Sequence, residues 1–436
     1  MRITPLRGAA VLAAAALTLA SGATTAAATS LTDRPSTGTL YVPKAPDGSR
    51  QQIAQLLSEG DRTGADLVRD MVSTPQAVWL TGGTPLEVGR DVTQTVQKAA
   101  AKGAIPTLVA YNLPYRDCGQ YSAGGASGTA AYEAWISAFA TALGTSRAMV
   151  ILEPDGLGLV PNYHSALDGS SNCTVPIDPT LPAGDQPTPE NRFAQLNFAV
   201  DALTKDPHAS VYLDATHTAW QNVGESADRL VKAGVQRATG FFLNVSNYQY
   251  TPNLAQYGTW VSECLAYATS VSPGDFGGCP NQYWNGGPTN NWTGVALNNF
   301  GIWSDTATQA DLNTSSINAR YASMLGGVQP TAHYVIDTSR NGQGPWKPTV
   351  SYSEAQDWCN PPGRGLGDTP ALDPVSGNAL LDAYLWIKTP GQSDGQCTRG
   401  TAGPADPEWG LVDPVAGGWF PQQALQLARL AVPALH

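Results

Sequence analysis

The sequence predicts an α/β fold around a parallel sheet, closed into a barrel or left open. Three observations predict it. Seven short β-rich runs recur along the chain, mostly continuously apolar rather than alternating, as suits parallel strands buried on both faces. Helix-like segments separate them. Polar residues gather where the runs end, and in a parallel barrel those ends share one face.

Taken in order, the first expected strand is Gln76–Leu80, followed by a helical pattern over Leu86–Lys102. The run Ile105–Tyr111 is the second strand, and Thr129–Leu143 the next helix. Ala148–Glu153 is the third strand. Helix Glu190–Lys205 follows, with Thr188-Pro189 as N-cap and first-turn proline. Ser210–Asp214, helix Glu225–Ala233 and Gly240–Val245 continue the alternation. Helix Ser315–Leu325, then strands His333–Asp337 and Ala383–Lys388, complete it. Asp168–Pro189, Ser246–Ser304 and Ser339–Asn378 are expected as long loops, rich in Gly, Pro, Asn, Trp and Tyr. Loops of that length are commonly functional, and these are expected to wall a site on one face.

Lys plus Arg number 24 and Asp plus Glu 35, a formal net charge of −11, which lacks the basic footprint of a nucleic-acid binder. Only 14% of residues are charged and 42% are apolar, so the chain is globular rather than disordered. The 16 Tyr and 12 Trp far outnumber the 8 Phe. Rings with a polar tip suit stacking on a wet ligand, and equally a Tyr/Trp-rich core.

Residues 1–28 read as a secretory signal: Arg2 and Arg7, the apolar run Gly8 to Leu19, then small residues Ala23 to Ala28. Cleavage after Ala23 or Ala28 suits the pattern. The apolar run is shorter than the roughly 20 residues of a membrane span, so no membrane anchor is expected. Residues 29–436 read as a single domain without repeats or a flexible linker. Cys118, Cys173, Cys264, Cys279, Cys359 and Cys397 are even in number and in an exported context, which favours disulfides. Their connectivity stays open; the simplest set joins neighbours, 118–173, 264–279 and 359–397. A free thiol nucleophile is the competing reading. No CxxC or HxxxH spacing suggests a metal, and no cofactor is expected.

Carboxylates recur at the strand ends: Asp117 after Tyr111, Asp155 after Glu153, Asp214, Asp337 and Asp394. Dinucleotide, phosphate-loop and GxSxG motifs are absent, and the five histidines show no ligand spacing. Carboxylates with stacking aromatics suit glycosidic-bond cleavage, in which an acid protonates the leaving oxygen.

Two strings carry a resemblance. Val109-Ala110-Tyr111-Asn112-Leu113-Pro114-Tyr115-Arg116-Asp117-Cys118-Gly119, followed by Tyr121-Ser122-Ala123-Gly124-Gly125, is the first, and Val150-Ile151-Leu152-Glu153-Pro154-Asp155-Gly156-Leu157 the second. Together they resemble the signatures of glycoside hydrolase family 6, the inverting cellulases. Further matches are Tyr212-Leu213-Asp214-Ala215, Asn244-Val245-Ser246-Asn247-Tyr248, Trp358-Cys359-Asn360-Pro361-Pro362-Gly363 and Ser393-Asp394-Gly395. The resemblance implies a distorted seven-stranded parallel β/α barrel with long loops roofing the active-site face.

It also implies roles. Asp155 stands at the general acid, Asp117 at the partner that raises its pKa, and Asp394 at the candidate base, with a water relay as the alternative. Tyr111 crowds the sugar at the cleavage point, and Ser122 lies in the loop that orients the water. Fungal-type members carry serine one position later, where this chain has Ala123. Glu153 is implied to be structural. Trp79, Trp220 and Trp358 match stacking platforms; Asp214, His217, Asn247, Arg340 and Lys388 match polar contacts to hydroxyls. Val223 replaces a further fungal tryptophan, and Gln392 a common glutamate.

The long loops resemble those of bacterial exo-acting members. They imply a secreted, monomeric cellobiohydrolase acting on cellulose and cello-oligosaccharides from the non-reducing end. An endo-β-1,4-glucanase and a non-catalytic carbohydrate-binding relative are the alternatives.

Overall fold

A computed structural model describes Met1, residues 37–283 and residues 294–435. The expected signal segment, Met1 apart, lies outside the described residues. The elements in chain order are β1 (Thr39–Leu40), α1 (Ser49–Ser58), α2 (Arg62–Ser73), β2 (Val78–Leu80), α3 (Pro85–Ala100), β3 (Ala104–Ile105), β4 (Thr107–Ala110) and α4 (Thr129–Leu143). Then come β5 (Ala148–Leu152), α5 (Pro189–Leu203), β6 (Ala209–Asp214), α6 (Val223–Lys232), β7 (Gly240–Leu243), α7 (Thr251–Ala266) and α8 (Ser315–Leu325). β8 (His333–Asp337), β9 (Ala371–Leu372), β10 (Leu381–Leu385) and α9 (Pro421–Arg429) complete the described chain.

The main sheet runs β2-β4-β5-β6-β7-β8-β10-β9. Its first seven strands are parallel and correspond to the seven expected runs; β9 adds two antiparallel residues at the edge. Successive side chains on a strand point to opposite faces. Val109, Ile151, Tyr212, Phe242, Val335 and Leu385 therefore fill the interior of the curled sheet. Their neighbours Leu108, Val150, Leu213, Phe241, Ile336 and the partly buried Tyr384 pack under the helices. Burial of each such aliphatic side chain stabilises by about 1.5–3 kcal/mol. Both faces are apolar, which is why the strands read as continuous runs.

The curl does not close by a full ladder. β9 occupies the edge of β10 at Ala383 and Tyr384. Beyond it, the start of β2 meets β10 through one backbone bond, Ala77 N–H to the Trp386 carbonyl at 3.0 Å. The Trp79 indole adds a bond to the Ile387 carbonyl at 2.8 Å. The barrel is thus distorted, with a seam between its first and last strands.

The expected cap of α5 is present, while α3 begins one residue and α6 two residues ahead of the expected Leu86 and Glu225. Thr84 and Glu87 form a capping box on α3, and the Thr188 hydroxyl caps α5 ahead of Pro189. One expectation is corrected: the stretch Ser246–Ser304, read as loop, contains the 16-residue helix α7. That helix mixes Thr, Asn, Gly, Tyr and Trp, so its period is blurred. It is stabilised by tertiary burial of Leu254, Tyr257, Trp260, Val261 and Leu265. Helices α1, α2 and α9, absent from the sequence reading, share a separate small core around Leu56, Val68, Met71 and Leu427.

The disulfides join Cys118–Cys173, Cys264–Cys279 and Cys359–Cys397, leaving no free cysteine. Among the described residues, no helix is long and apolar enough to cross a membrane.

Gly240 sits opposite His333 in the β7–β8 ladder, and a Cβ there would lie 1.7 Å from the His333 carbonyl oxygen. Gly240→Ala should destabilise the fold by about 1–3 kcal/mol through overpacking, read as a lower urea midpoint. An unshifted midpoint would contradict this strand register.

Candidate active site

The carboxyl ends of the strands open into a cavity of about 660 Å³. Its lining includes Trp79, Tyr111, Asp117, Ser122, Asp155, His217, Trp220, Asn247, Trp358, Lys388 and Asp394, so most expected site residues converge there. Tyr121, Tyr248, Gln249, Trp346 and Gln392 line it too, without having been assigned roles from the sequence. Asp214 and Arg340 are buried and are not among the residues that line the cavity. Asp214 accepts the Gly158 and Thr216 amides, and Arg340 donates to Asp394 and to the Ser246 carbonyl while its Nε is left without a partner among the described residues.

Three buried carboxylates build the face. Glu153, just past β5, accepts the Asn112 amide at 2.8 Å and the Leu113 amide at 3.1 Å, both from the loop after β4. Asp214, ending β6, accepts the Gly158 amide at 3.2 Å from the loop after β5, and the Thr216 amide at 2.8 Å. Asp337, ending β8, reaches three segments. It accepts amides of Ser246 at 3.2 Å, Ser339 at 3.0 Å, Ile387 at 3.1 Å and Lys388 at 3.0 Å. Each pairs orphaned N–H groups that a buried loop would otherwise leave unsatisfied. Glu153 is accordingly structural.

Asp155 is half-buried on the cavity wall with φ 63°, two residues after Glu153 with φ 55°. Left-handed conformations are costly for non-glycine residues and persist where surroundings over-determine them. Desolvation lifts the Asp155 carboxyl well above the ordinary value, and the charges of Asp117 and Asp214 push it the same way. Asp117 also has positive φ, 56°. Burial raises it to about 6, against the Ser122 amide it accepts at 2.7 Å. Two carboxyls whose charges oppose each other resist joint ionisation, which keeps a proton available there.

Tyr111 lies below them, with the Trp79 ring edge-on at 5.4 Å and the Arg116 guanidinium over its own ring at 4.7 Å. Arg116 also donates to the Tyr111, Thr81, Ser122 and Ala123 carbonyls, pinning the base of the loop after β4. Trp220 tilts against His217 at 5.8 Å. It rests on Gly158, where a Cβ would be 2.4 Å from the indole. Burial lowers His217 to about 3, so it is neutral; its Nδ1 accepts the Ala219 amide.

Asp394 is electrostatically opposite to Asp155. Burial alone would raise its pKa, but Arg340 and Lys388 outweigh it and hold the carboxyl at about 2. Arg340 donates to it at 2.8 Å and Lys388 sits 3.0 Å away; Tyr248 O–H and the Asn360 amide complete the set at 3.2 and 3.0 Å. Arg340 also stacks on the Tyr248 ring at 4.5 Å. Asn247, on the wall, turns its amide toward the Val245 carbonyl.

The raised carboxyls set a pH dependence of stability. Burial places Asp214 at about 6, and Glu153, Glu263 and Asp413 at about 7, with Asp117 at about 6. Unfolded carboxyls titrate near about 4. The folded state therefore binds more protons between about 4 and 7, and stability falls as pH rises through that window. Asp394, held at about 2, contributes the opposite way, its stabilisation being lost only as pH falls below about 4. The melting temperature should be higher at pH 5 than at pH 7.5; a flat or rising profile would contradict the burial of these groups.

Comparison with known proteins agrees with this architecture. The family description "Glycosyl hydrolases family 6" matches residues 36–431. Endoglucanase 1 of Streptomyces sp. (strain KSM-9) is 30% identical over 77% of this chain and 68% of its own length. Endoglucanase A of Thermobispora bispora is 30% identical over 85% of this chain, which spans 58% of that protein. The endoglucanase Cel6 from Mycobacterium tuberculosis, solved with a methyl-cellobiosyl-thio-cellobioside, superimposes with TM-score 0.61 at 31% identity, covering 90% of this chain and 97% of that one. Cellobiohydrolase II from Humicola insolens shares the fold, with TM-score 0.59 at 21% identity over 92% and 99% of the two chains. On the family match across nearly its whole length, the chain belongs to glycosyl hydrolases family 6.

Proposed function

We propose that the protein hydrolyses β-1,4-glucosidic bonds of cellulose and cello-oligosaccharides with inversion of the anomeric centre. The observation that carries this is the proton-holding pair Asp155 and Asp117 in a cavity walled by Trp79, Trp220 and Trp358. Sugar faces stack on the indoles and bury C–H surface there. Asp155 gives its proton to the leaving oxygen. Asp117 keeps that proton in place beforehand and, once ionised, stabilises positive charge on the ring. Tyr111 lies beneath the cleavage point.

Water attacks from the far side of the ring. A carboxylate held at about 2 accepts a proton weakly, so Asp394 acts chiefly as a fixed negative charge. The proton of the attacking water leaves along a water relay in the loop of Ser122. Lys388, His217 and Asn247 contribute polar groups on the wall; with the Nδ1 of neutral His217 taken by the Ala219 amide, its Nε2–H is the donor left for a hydroxyl.

For mode of action, we read the enzyme as a cellobiohydrolase acting from the non-reducing end. Support comes from the walls beyond the acid pair. Pro345, Trp346, Asp357 and Trp358 from the loop after β8, and Val415 to Gly417 further on, face the loop Arg116–Ala123 across the cavity. The second reading is endo cleavage, favoured by the endoglucanase names of the relatives at 30–31% identity. Secretion fits the leader-like residues 1–28 and the three disulfides.

Asp155→Asn should cut turnover on cellohexaose by at least about a thousandfold while cellohexaose still binds, as isothermal titration would show. Undiminished turnover removes the acid assignment. Proton NMR of fresh product should show the α-anomer first; β first means retention. Viscosity of carboxymethyl cellulose per new reducing end separates the modes, a small drop meaning exo and a steep one endo.

A further inference from the structure

The loop after β4 is held in an unusual way. Asp117, Cys118 and Gly119 are three consecutive residues with positive φ, 56°, 51° and 80°. A run of this kind is strained and must be held from outside. Its base is fixed by Arg116 and by the Cys118–Cys173 disulfide. Its tip is largely exposed at Gly119, Gln120, Ala123 and Gly124, with half-buried Tyr121 between them.

Tyr121 crosses to the opposite wall. Its ring meets Trp358 at 5.9 Å, and its hydroxyl accepts from Gln356 Nε2 at 3.1 Å. It also lies against Gly395, next to Asp394, where a Cβ would be 2.5 Å from the Tyr121 Cβ. The next residue, Ser122, gives its amide to the Asp117 carboxylate at 2.7 Å.

We infer that Tyr121 is a positioning residue for Asp117: by seating on Trp358 and Gly395 it holds the Ser122 amide on that carboxylate. This inference rests on the glycosidase reading above. The ring contacts supply the seat, and the hydroxyl bond adds to it. Loss of the seat lets the tip relax, and the amide that orients Asp117 moves with it. Small displacements of a catalytic pair are expensive in rate, on the order of 100-fold for about 1 Å.

The test compares Tyr121→Ala, Tyr121→Phe and Gln356→Ala in the full chain. On cellohexaose, Tyr121→Ala should lower kcat about 10- to 100-fold with KM changed less than about 3-fold. Tyr121→Phe and Gln356→Ala should stay within about 3-fold of the parent in kcat. Hydrogen–deuterium exchange over residues 116–125 should quicken in Tyr121→Ala and not in Tyr121→Phe. A rise in KM with kcat intact would make Tyr121 only a sugar contact and overturn the inference. So would equal damage from Phe and Ala, or unchanged exchange in the Ala variant. If the parent protein fails to cleave cello-oligosaccharides, the glycosidase reading falls, and the exchange comparison alone still decides the role of Tyr121.

Discussion

The site depends on buried carboxylates at strand ends taking up the backbone amides of neighbouring loops. Glu153, Asp214 and Asp337 do this at three places around the sheet. A loop turning sharply off a buried strand leaves N–H groups without partners, and water does not reach them. One ionisable side chain on the adjacent strand solves this for two or more groups at once. It also sets neighbouring loops in register. Glu153 ties the loop of Asp117 to that of Asp155. Asp337 ties the loop of Asn247 to that of Lys388, and Arg340 follows three residues later.

This scaffold lets two opposite electrostatic conditions exist side by side. Asp155 and Asp117 stand where charge is poorly solvated and mutually repelled. Asp394 stands between two cations, Arg340 fully buried and Lys388 on the cavity wall. Neither condition follows from residue type, since all three are aspartates. The difference arises from which cations and which amides the fold aims at each.

Much of the fold was legible in the sequence because parallel strands buried on both faces leave long apolar runs. All seven are present, with Pro106 dividing β3 from β4. Helix α7 was not legible, since its burial on several sides replaces a clean stripe with Thr, Asn, Gly and Trp. Asp155 and Asp117 could be singled out only through the strings around them. A lone aspartate after proline looks like a turn. Asp214 and Arg340 matched sugar-contacting positions and are buried, outside the cavity lining. A pattern of residue types does not reveal which way a loop turns its side chain. Tyr121 and Trp346 were unassigned for a related reason, as their partners lie far along the chain.

The seam between β2 and β10 has its own mechanical meaning. Around most of the circumference, adjacent strands are joined by several ladder bonds; at the seam one amide and one indole carry the load. The wall is therefore a split ring, and its compliance is concentrated at one azimuth. The backbone pairing is interrupted where Trp79 meets Ile387, beside Lys388. The aromatic platform and the ammonium group thus border the gap in the ladder, while the opposite arc, around β5 and β6, is continuously paired.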